Sequence, residues 1–214
     1  MSLISEKTIE RLILYRGLLL QANHESESGI YSHQLGRMAG FTPAQVRRDL
    51  MQVGYTGSPA RGYDIAKLIQ SISALVDPAE KREIALAGIG SIGRAILAYF
   101  QGRSSLLEIT AAFDTDPEKT DRVIHGCRCY PVDRLSEIIL ARGIRTGILC
   151  VPSGAAQSVT DAFVAGGVRG ILNYAPTRLI VPPDVYVENR DMIMAVEKVV
   201  YFSGPRTGQR KETG

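Results

Sequence analysis

The chain has 214 residues, of which 45% are hydrophobic and 22% charged, and its formal net charge is only +3. This length fits two domains of about 100 residues each, and the balanced composition excludes a disordered or fibrous chain. Apolar runs stay far below the ~20 residues of a membrane-spanning helix, and the N-terminus does not read as a secretory signal, so we expect a cytoplasmic protein without a membrane partner.

The first quarter of the chain predicts three helices. Residues 5–24 place apolar side chains at helical spacing, and a second helix over 31–39 ends before Gly40. Thr42 then supplies an N-cap, and Pro43 the first position of a short third helix. Two helices joined by a short turn containing glycine are the outline of a helix-turn-helix.

Positive charge concentrates around the third helix. Between residues 37 and 61 the chain has four arginines and a single acidic residue. Arg47 and Arg48 lie on the predicted helix, where they offer contacts to DNA phosphates and to the major groove. The turn-rich stretch 54–63 predicts a hairpin wing, and Arg61 at its tip is suited to a minor groove.

Strands and helices alternate from residue 83 onward, after a helix over 64–76 and a domain boundary within 78–82. This alternation predicts a parallel sheet with helices on its faces. The predicted strands are 84–87, 106–113, 147–151 and 170–173, and the predicted helices are 92–101, 156–165 and 191–200. An apolar stretch at 179–187 leads to the last of these helices.

A glycine-rich loop joins the first of these strands to its helix, with the pattern G-x-G-x-x-G from Gly88 to Gly93. Gly88 permits the tight turn, Gly90 lets a pyrophosphate approach the backbone, and Gly93 lets the helix pack closely, while the helix N-terminus favours the anion. Asp114 follows 21 residues after Gly93, at the end of the second strand. A carboxylate there accepts hydrogen bonds from ribose hydroxyls and repels a 2′-phosphate, which predicts binding of NAD(H) rather than NADP(H).

No evident catalytic or metal-binding set accompanies this loop in the sequence. His24, His33 and His125 are dispersed, and none has an obvious acidic partner. Cys127 and Cys129 are too close in sequence for an unstrained disulfide, and two further zinc ligands are missing nearby. We therefore expect neither an enzyme nor a metal site. Three cysteines without an even framework agree with a reducing compartment.

The order of these parts resembles the Rex family of redox-sensing transcriptional repressors over residues 5–203. The third helix reads Q-V-R-R-D-L from Gln45, close to the family's Q-V-R-K-D-L, and the wing closes with Gly62-Tyr63 at the family's spacing. The second half matches in its G-I-G-S-I-G loop and in further motifs, which are Tyr99, Phe113-Asp114, Val151-Pro152, Asn173-Tyr-Ala-Pro176, Leu179-Ile-Val-Pro182 and Asp191-Met192.

The resemblance implies an α/β protein with four parts. These are an N-terminal winged helix-turn-helix domain (1–80), a Rossmann-like parallel-sheet domain (81–188), a C-terminal helix swapped between protomers of a homodimer (189–203) and a flexible tail (204–214). It also implies that the dimer represses by binding palindromic operator DNA. The sensed ligands are NADH, which releases the dimer from DNA, and NAD⁺, which competes but leaves DNA binding possible.

Three sets of site residues follow from the matched motifs. The cofactor-binding set is Gly88, Gly90, Ser91, Ile92, Gly93, Asp114, Val151, Pro152, Asn173, Ala175 and Pro176. The DNA-binding set is Thr42, Gln45, Arg47, Arg48, Ser58, Arg61 and Tyr63. Arg16, Tyr99 and Asp191 match the contacts that couple the two sites; without the family match we would interpret them as a surface arginine, a core tyrosine and a helix N-cap.

The chain departs from the family's pattern in three places. Ser58-Pro59-Ala60 stands in the wing where the family commonly has Lys-Arg-Gly, with Arg61 as a substitute one or two places later, so a changed operator is compatible with the sequence. Ser91 replaces the usual asparagine, which predicts a modest change in ligand preference. Met192 replaces the usual leucine, a tolerated apolar exchange.

Three other functions are compatible with parts of the sequence. An NAD-dependent oxidoreductase explains the glycine loop and Asp114, but it leaves no room for a substrate domain after residue 203 and lacks an evident proton donor. A CoA-binding module uses a similar Rossmann domain, although Asp114 suits unmodified ribose hydroxyls. A helix-turn-helix that contacts only proteins would make the arginines a solvated face.

Overall fold

The structure is a computed structural model that describes residues 4–23, 29–58, 61–103 and 106–204. The chain divides into two compact units, Met1–Ala79 and Glu80–Gly214. Three predicted features lie outside the described residues: the turn after the first helix with His24, the wing tip at 59–60, and the tail beyond Gly204.

Four helices of the first unit surround one apolar core. The elements of this unit are α1 (Glu6–Asn23), β1 (Gly29–Ile30), α2 (Ser32–Ala39), α3 (Pro43–Met51), β2 (Tyr63–Asp64) and α4 (Ile65–Val76). Each helix contributes buried apolar side chains to the same cluster, among them Leu12, Leu19, Leu35, Leu50 and Leu68. The four helices predicted here are therefore all present, because their apolar positions follow the helical period.

The turn between α2 and α3 fixes the geometry of the helix-turn-helix. Gly40 ends α2 with φ 75°, in the left-handed region that favours glycine. The Thr42 side chain then accepts a hydrogen bond from the Gln45 backbone N–H, 3.2 Å away. A Cβ on Gly36 would lie 2.6 Å from the Phe41 carbonyl oxygen, so glycine lets the turn fold back onto α2. The predicted helix-turn-helix is confirmed.

The wing is built differently from the predicted hairpin. β2 pairs antiparallel with β1, and Tyr63 lies opposite Ile30, so the strand partner comes from before α2 rather than from within 54–63. Inside the predicted hairpin, an antiparallel bridge joins Ser58 to Gly62. The prediction missed β1 because its two residues are too few to show an alternating pattern.

The second unit contains a seven-stranded sheet. Its elements are β3 (Arg82–Ala87), α5 (Ser91–Phe100), β4 (Leu107–Asp114), β5 (Val123–Ile124), β6 (Cys127–Pro131), α6 (Leu135–Arg142), β7 (Thr146–Leu149), α7 (Ser153–Ala165), β8 (Gly170–Asn173), β9 (Tyr186–Asn189) and α8 (Met192–Ser203). Among the described residues the strand order is β5-β6-β4-β3-β7-β8-β9, and only β5 runs antiparallel to its neighbour. The chain leaves β3 toward β4 on one side and later adds β7 on the other, so this sheet has the switch point at which Rossmann-like folds bind ligands.

The prediction omitted β5, β6 and α6. β6 reads Cys-Arg-Cys-Tyr-Pro, a short alternation between Gly126 and a 3-10 turn at Val132–Arg134, and α6 begins directly after that turn without a side-chain N-cap. His125 lies in the turn between β5 and β6 with φ 48°. The prediction also left β9 unassigned, since only the end of the apolar stretch 179–187 belongs to this strand.

The last helix, α8, has no buried residue. Eight of its large apolar side chains are more than half exposed, namely Met192, Ile193, Met194, Val196, Val199, Val200, Tyr201 and Phe202. The exchange of this helix between protomers therefore stays a prediction for a single chain. No helix in the described part of the protein has the length and apolar character that crossing a bilayer requires.

Candidate functional sites

The glycine loop between β3 and α5 is shaped by close backbone contacts. Gly88 has φ 92°, and a Cβ there would lie 2.5 Å from the Cys150 carbonyl oxygen. A Cβ on Gly93 would lie 2.0 Å from the Gly88 carbonyl oxygen, whereas a Cβ on Gly90 would meet no atom within 4 Å. Packing of the loop therefore requires Gly88 and Gly93, and Gly90 leaves open space where a ligand can approach the backbone.

The first turn of α5 is suited to an anion. Gly90 is its N-cap residue and supplies no side-chain hydrogen bond. The first hydrogen bond of the helix runs from the Arg94 N–H to the Gly90 carbonyl. The backbone N–H groups of Ser91, Ile92 and Gly93 precede this bond and have no partner within the helix. Together with the helix dipole, they form a site that attracts a phosphate group.

Asp114 ends β4 and is held against the glycine loop. One carboxylate oxygen accepts a hydrogen bond from the Ile89 backbone N–H at 2.7 Å, and the other accepts one from the Asp116 backbone N–H at 2.9 Å. The Asp114 side chain is 10% exposed. These bonds fix the carboxylate beside the loop, where the ribose acid of a dinucleotide site belongs.

Lys119 forms a charged cluster with Asp114 and Asp116, which the sequence analysis missed. Its amine lies 3.4 Å from each oxygen of Asp114 and 3.2 Å from Oδ2 of Asp116. Partial burial lowers the pKa of Lys119, but the hydrogen bonds and charges of the two aspartates outweigh it and raise that pKa above its ordinary value. The amine is therefore protonated at neutral pH. The available signal was the run D-x-D-P-E-K that begins with Asp114.

A cavity of about 720 Å³ lies at the carboxyl ends of β3, β4 and β7. This volume is within the range of small-molecule sites. The predicted cofactor residues that line it are Gly88, Gly90, Ile92, Asp114, Val151, Pro152 and Pro176. The lining also includes four residues that directly follow strand ends, Thr115, Val132, Cys150 and Tyr174, and Ser158 from α7.

The other predicted cofactor residues have supporting positions instead of lining this cavity; they are Ser91, Gly93, Asn173 and Ala175. Asn173 is 1% exposed, and its amide donates to the Thr177 carbonyl and to Oδ1 of Asn189, both at 2.9 Å. Its own Oδ1 accepts a hydrogen bond from the Ala175 N–H at 2.9 Å. Asn173 therefore fixes the loop after β8, which carries the cavity residues Tyr174 and Pro176.

The cysteines lack the features of a reactive site. All three are free, and Cys127 and Cys129 are buried. Burial raises the pKa of Cys127 and of Cys150 to about 12. Burial, with the charge of Asp114, raises the pKa of Cys129 to about 11. The thiols are thus protonated at neutral pH and are poor nucleophiles.

The predicted DNA-binding residues converge on α3 and the wing. Arg47 and Arg48 are exposed on α3, as a recognition helix requires. Arg47 donates a hydrogen bond to the Ser32 hydroxyl at 3.1 Å and lines, together with Ser58 and Tyr63, a cleft of about 240 Å³. Arg61 is exposed next to this cleft, and Thr42 caps α3.

Gln45 faces a buried acid instead of lying open to solvent. Its amide donates to Oδ1 of Asp49 at 2.9 Å. Asp49 is 2% exposed and also accepts hydrogen bonds from Arg11 and from the Tyr15 hydroxyl. Burial raises the pKa of Asp49, but the hydrogen bonds from Arg11, Gln45 and Tyr15 outweigh it, so the pKa lies below its ordinary value. The predicted DNA contact of Gln45 therefore requires its amide to leave Asp49.

The three predicted coupling residues have separate partners within one chain. Arg16 forms a salt bridge with Asp77, at the end of α4. Tyr99 is 61% exposed, and the Arg103 guanidinium lies 4.4 Å from its ring centre. The Asp191 side chain caps α8 by accepting a hydrogen bond from the Met194 backbone N–H at 3.0 Å. Asp191 is thus an N-cap, and Tyr99 is a surface rather than a core residue.

A winged helix-turn-helix with exposed arginines, joined to a Rossmann-like unit with a glycine loop and a ribose-type acid, defines a class: DNA-binding regulators that respond to a dinucleotide. Family comparisons agree with both halves. Residues 3–50 match the family described as putative DNA-binding protein N-terminus, and residues 79–177 match the CoA binding domain. The chain is 36% identical over 199 residues to the redox-sensing transcriptional repressor Rex of Lactobacillus acidophilus, covering 93% of this chain and 94% of that protein. It belongs to the Rex family of redox-sensing transcriptional repressors.

Solved structures show the same relationship. The crystal structure of RSP, a Rex-family repressor, in complex with beta-NAD⁺ and operator DNA superimposes with a TM-score of 0.88 at 28% identity, covering 94% of this chain and 93% of RSP. The crystal structure of RSP in complex with beta-NADH superimposes with a TM-score of 0.83 at 27% identity, covering 94% of this chain and 95% of RSP. The predicted fold class and family are confirmed, apart from the helix exchange.

Proposed function

We propose that this protein binds palindromic operator DNA as a homodimer and is released when NADH occupies its Rossmann-like unit. The observation that carries the proposal is the hydrogen bond from the Ile89 backbone N–H to Asp114, because it supports a role for this carboxylate as the ribose acid at the edge of a ligand-sized cavity. The relative RSP, solved with beta-NAD⁺ and operator DNA and with beta-NADH, supports both ligands.

In the proposed cofactor site, the first turn of α5 would hold the pyrophosphate, since Gly90 leaves its backbone uncovered. Asp114 would accept hydrogen bonds from the hydroxyls of the adenosine ribose. Ile92, Val151, Pro152 and Pro176 would supply apolar contacts along the cavity wall. Ser91 would add a backbone N–H, whereas Gly93, Asn173 and Ala175 would keep the surrounding backbone in place.

In the proposed DNA interface, α3 would enter the major groove. Arg47 and Arg48 are exposed there and supply contacts to base edges and phosphates. Arg61 would reach a minor groove from the wing. Thr42, Gln45, Ser58 and Tyr63 would complete the interface.

The proposed dimer depends on α8. Eight large apolar side chains lie exposed on this helix, which carries only two charges, Glu197 and Lys198. Burying a side chain of this kind contributes about 1.5–3 kcal/mol, so covering them with a second protomer is strongly favourable. We therefore propose that the helix within 189–203 is exchanged between protomers. The proposed domain division is 1–80 for DNA binding, 81–188 for the dinucleotide, 189–203 for dimerisation and 204–214 for the tail.

Arg16, Tyr99 and Asp191 are proposed to couple the two sites. NADH can release DNA only if it binds the two conformations of the dimer with unequal affinity, at about 1.4 kcal/mol for each tenfold shift. Variants of Tyr99 or Asp191 should therefore still bind NADH and DNA, but NADH should no longer weaken DNA binding. A variant in which NADH still releases DNA normally would exclude that residue from the coupling.

We further propose that the protein is a sensor without turnover and acts in the cytoplasm. The described lining of the cavity contains no histidine, and its thiol, Cys150, is protonated at neutral pH. The three cysteines are free, as in a reducing compartment. Turnover of a substrate with NADH would instead favour the oxidoreductase alternative.

The test is operator binding by fluorescence polarisation, with a Rex-type palindrome and titrations of NADH and NAD⁺ at fixed salt. Release by NADH, and much less by NAD⁺, is the expected result. A shuffled duplex of equal length controls for non-specific phosphate binding. Loss of DNA binding with intact NADH binding would point to a changed operator or to protein contacts. Competition of CoA with NADH would favour the CoA-binding alternative.

A further inference from the structure

We propose that Lys119 sets how strictly the dinucleotide site excludes a 2′-phosphate, so that the protein also binds NADPH, although more weakly than NADH. The inference rests on the proposed dinucleotide site. The charged side chains in the described lining of the cavity are Asp114, Asp116 and Lys119. Lys119 is therefore the single cation in that part of the lining, and it lies at the ribose acid.

The two kinds of contact at Asp114 differ in length. The carboxylate is held by backbone N–H groups at 2.7 Å and 2.9 Å, whereas the Lys119 amine lies 3.4 Å from each of its oxygens. The backbone bonds are enough to fix Asp114, and the longer amine contacts are the weaker ones. A lysine amine on a flexible four-carbon stem can therefore turn to a new anion without releasing the carboxylate.

This arrangement changes the usual discrimination by a ribose acid. An aspartate alone repels a 2′-phosphate, whereas a nearby basic residue accommodates one. The 2′-hydroxyl of the ribose would donate a hydrogen bond to Asp114. A phosphate on that hydroxyl would therefore lie next to the Lys119 amine. Asp116, whose side chain is 40% exposed, also forms a salt bridge with that amine at 3.2 Å. Two carboxylates against one amine leave a net negative charge, so NADH remains preferred.

The experiment measures the dissociation constants of NADH and NADPH for the full-length protein by isothermal titration calorimetry. Lys119→Met should raise the ratio of the NADPH constant to the NADH constant by about tenfold, the effect of losing a charge-assisted contact. Lys119→Arg should keep the wild-type ratio. Lys81→Met is the matched control, since Lys81 pairs with Glu108 at 2.7 Å outside the cavity, and it should leave both constants unchanged.

Asp114→Asn separates the two charges. Asp114→Asn should strengthen NADPH binding relative to NADH and so narrow or reverse the preference for NADH. Adding Lys119→Met to this variant should weaken NADPH binding again. An unchanged ratio in Lys119→Met would overturn the inference, because the amine would then only steady Asp114. Wild-type protein that binds NADH but no NADPH would overturn it as well. Failure of the wild type to bind either dinucleotide would instead refute the proposed function, and the inference with it.

Discussion

Arg11 of α1 forms a two-pronged salt bridge with Asp49 of α3. Its Nε lies 2.7 Å from Oδ2 and its Nη2 lies 2.8 Å from Oδ1. The Tyr15 hydroxyl, also from α1, donates to Oδ2 at 3.0 Å. Asp49 directly follows Arg48 in the chain, so this buried network fixes the proposed recognition helix to α1.

Removing the acid from this network should destabilise the first unit. Asp49→Ala leaves the partly buried Arg11 guanidinium and the buried Tyr15 hydroxyl without their acceptor, and losing the partner of such groups costs about 3 kcal/mol. Urea unfolding followed by circular dichroism measures the loss. Glu10→Ala is the matched control, because Glu10 is an exposed acid on α1, next to Arg11 in the chain. Equal stabilities of the two variants would contradict the importance of the pair.

The same network predicts a dependence of stability on pH. The pKa of Asp49 is lower in the folded protein than its unfolded value of about 3.9, so the folded state gains stability from the ionised carboxylate above that value. This contribution is lost as the pH falls below about 4 toward the lowered folded pKa. Asp49→Asn should unfold at lower urea concentration than wild type at pH 6, and this difference should shrink as the pH falls to 3. A difference that is constant with pH would refute the prediction.

Replacing either of two glycines in the same loop by alanine should have different effects: Gly93→Ala should lower stability, whereas Gly90→Ala should lower NADH affinity. Gly93→Ala places a Cβ 2.0 Å from the Gly88 carbonyl oxygen, so the loop must shift. Overpacking of this kind costs about 1–3 kcal/mol or more, which thermal unfolding would show. Gly90→Ala meets no atom within 4 Å, so the protein should keep its stability while NADH binds at least about tenfold more weakly. Full NADH affinity in Gly90→Ala would exclude the backbone of Gly90 from the pyrophosphate site.

Local signals made most of the fold predictable. Gly40, Thr42 and the glycine loop each act within one turn of chain, and the structure shows the turn, the cap and the strand–loop–helix that they specify. β1 and β6 were missed because short strands are stabilised by neighbours that are distant in sequence. For the same reason, the sequence could not show that Asn173 is buried or that Gln45 contacts Asp49, since hydrophilic residues carry no periodic signal of burial.

The surface contributed by α3 should determine DNA affinity. Replacing Arg47 and Arg48 together by alanine should weaken operator binding by at least about 2 kcal/mol and lower the salt dependence. NADH affinity should not change, because both arginines lie in the first unit. The control is the double variant Arg122→Ala and Arg134→Ala, which removes the same charge from exposed positions of the second unit. Normal operator affinity in the α3 variant would refute the placement of the interface.

The exposed face of α8 should determine the oligomeric state. Val196 and Val199 are 59% and 66% exposed and lie three residues apart, on one side of the helix. A buried glutamate without a partner is costly, so Val199→Glu should weaken the dimer by tenfold or more, as measured by sedimentation equilibrium. Lys198→Gln, which changes the neighbouring position without adding a buried charge, should leave the dimer intact. Because palindromic DNA needs two recognition helices at once, Val199→Glu should also lose operator affinity while each chain keeps its NADH site. A Val199→Glu protein that stays dimeric at nanomolar concentration would place the dimer interface elsewhere on the chain.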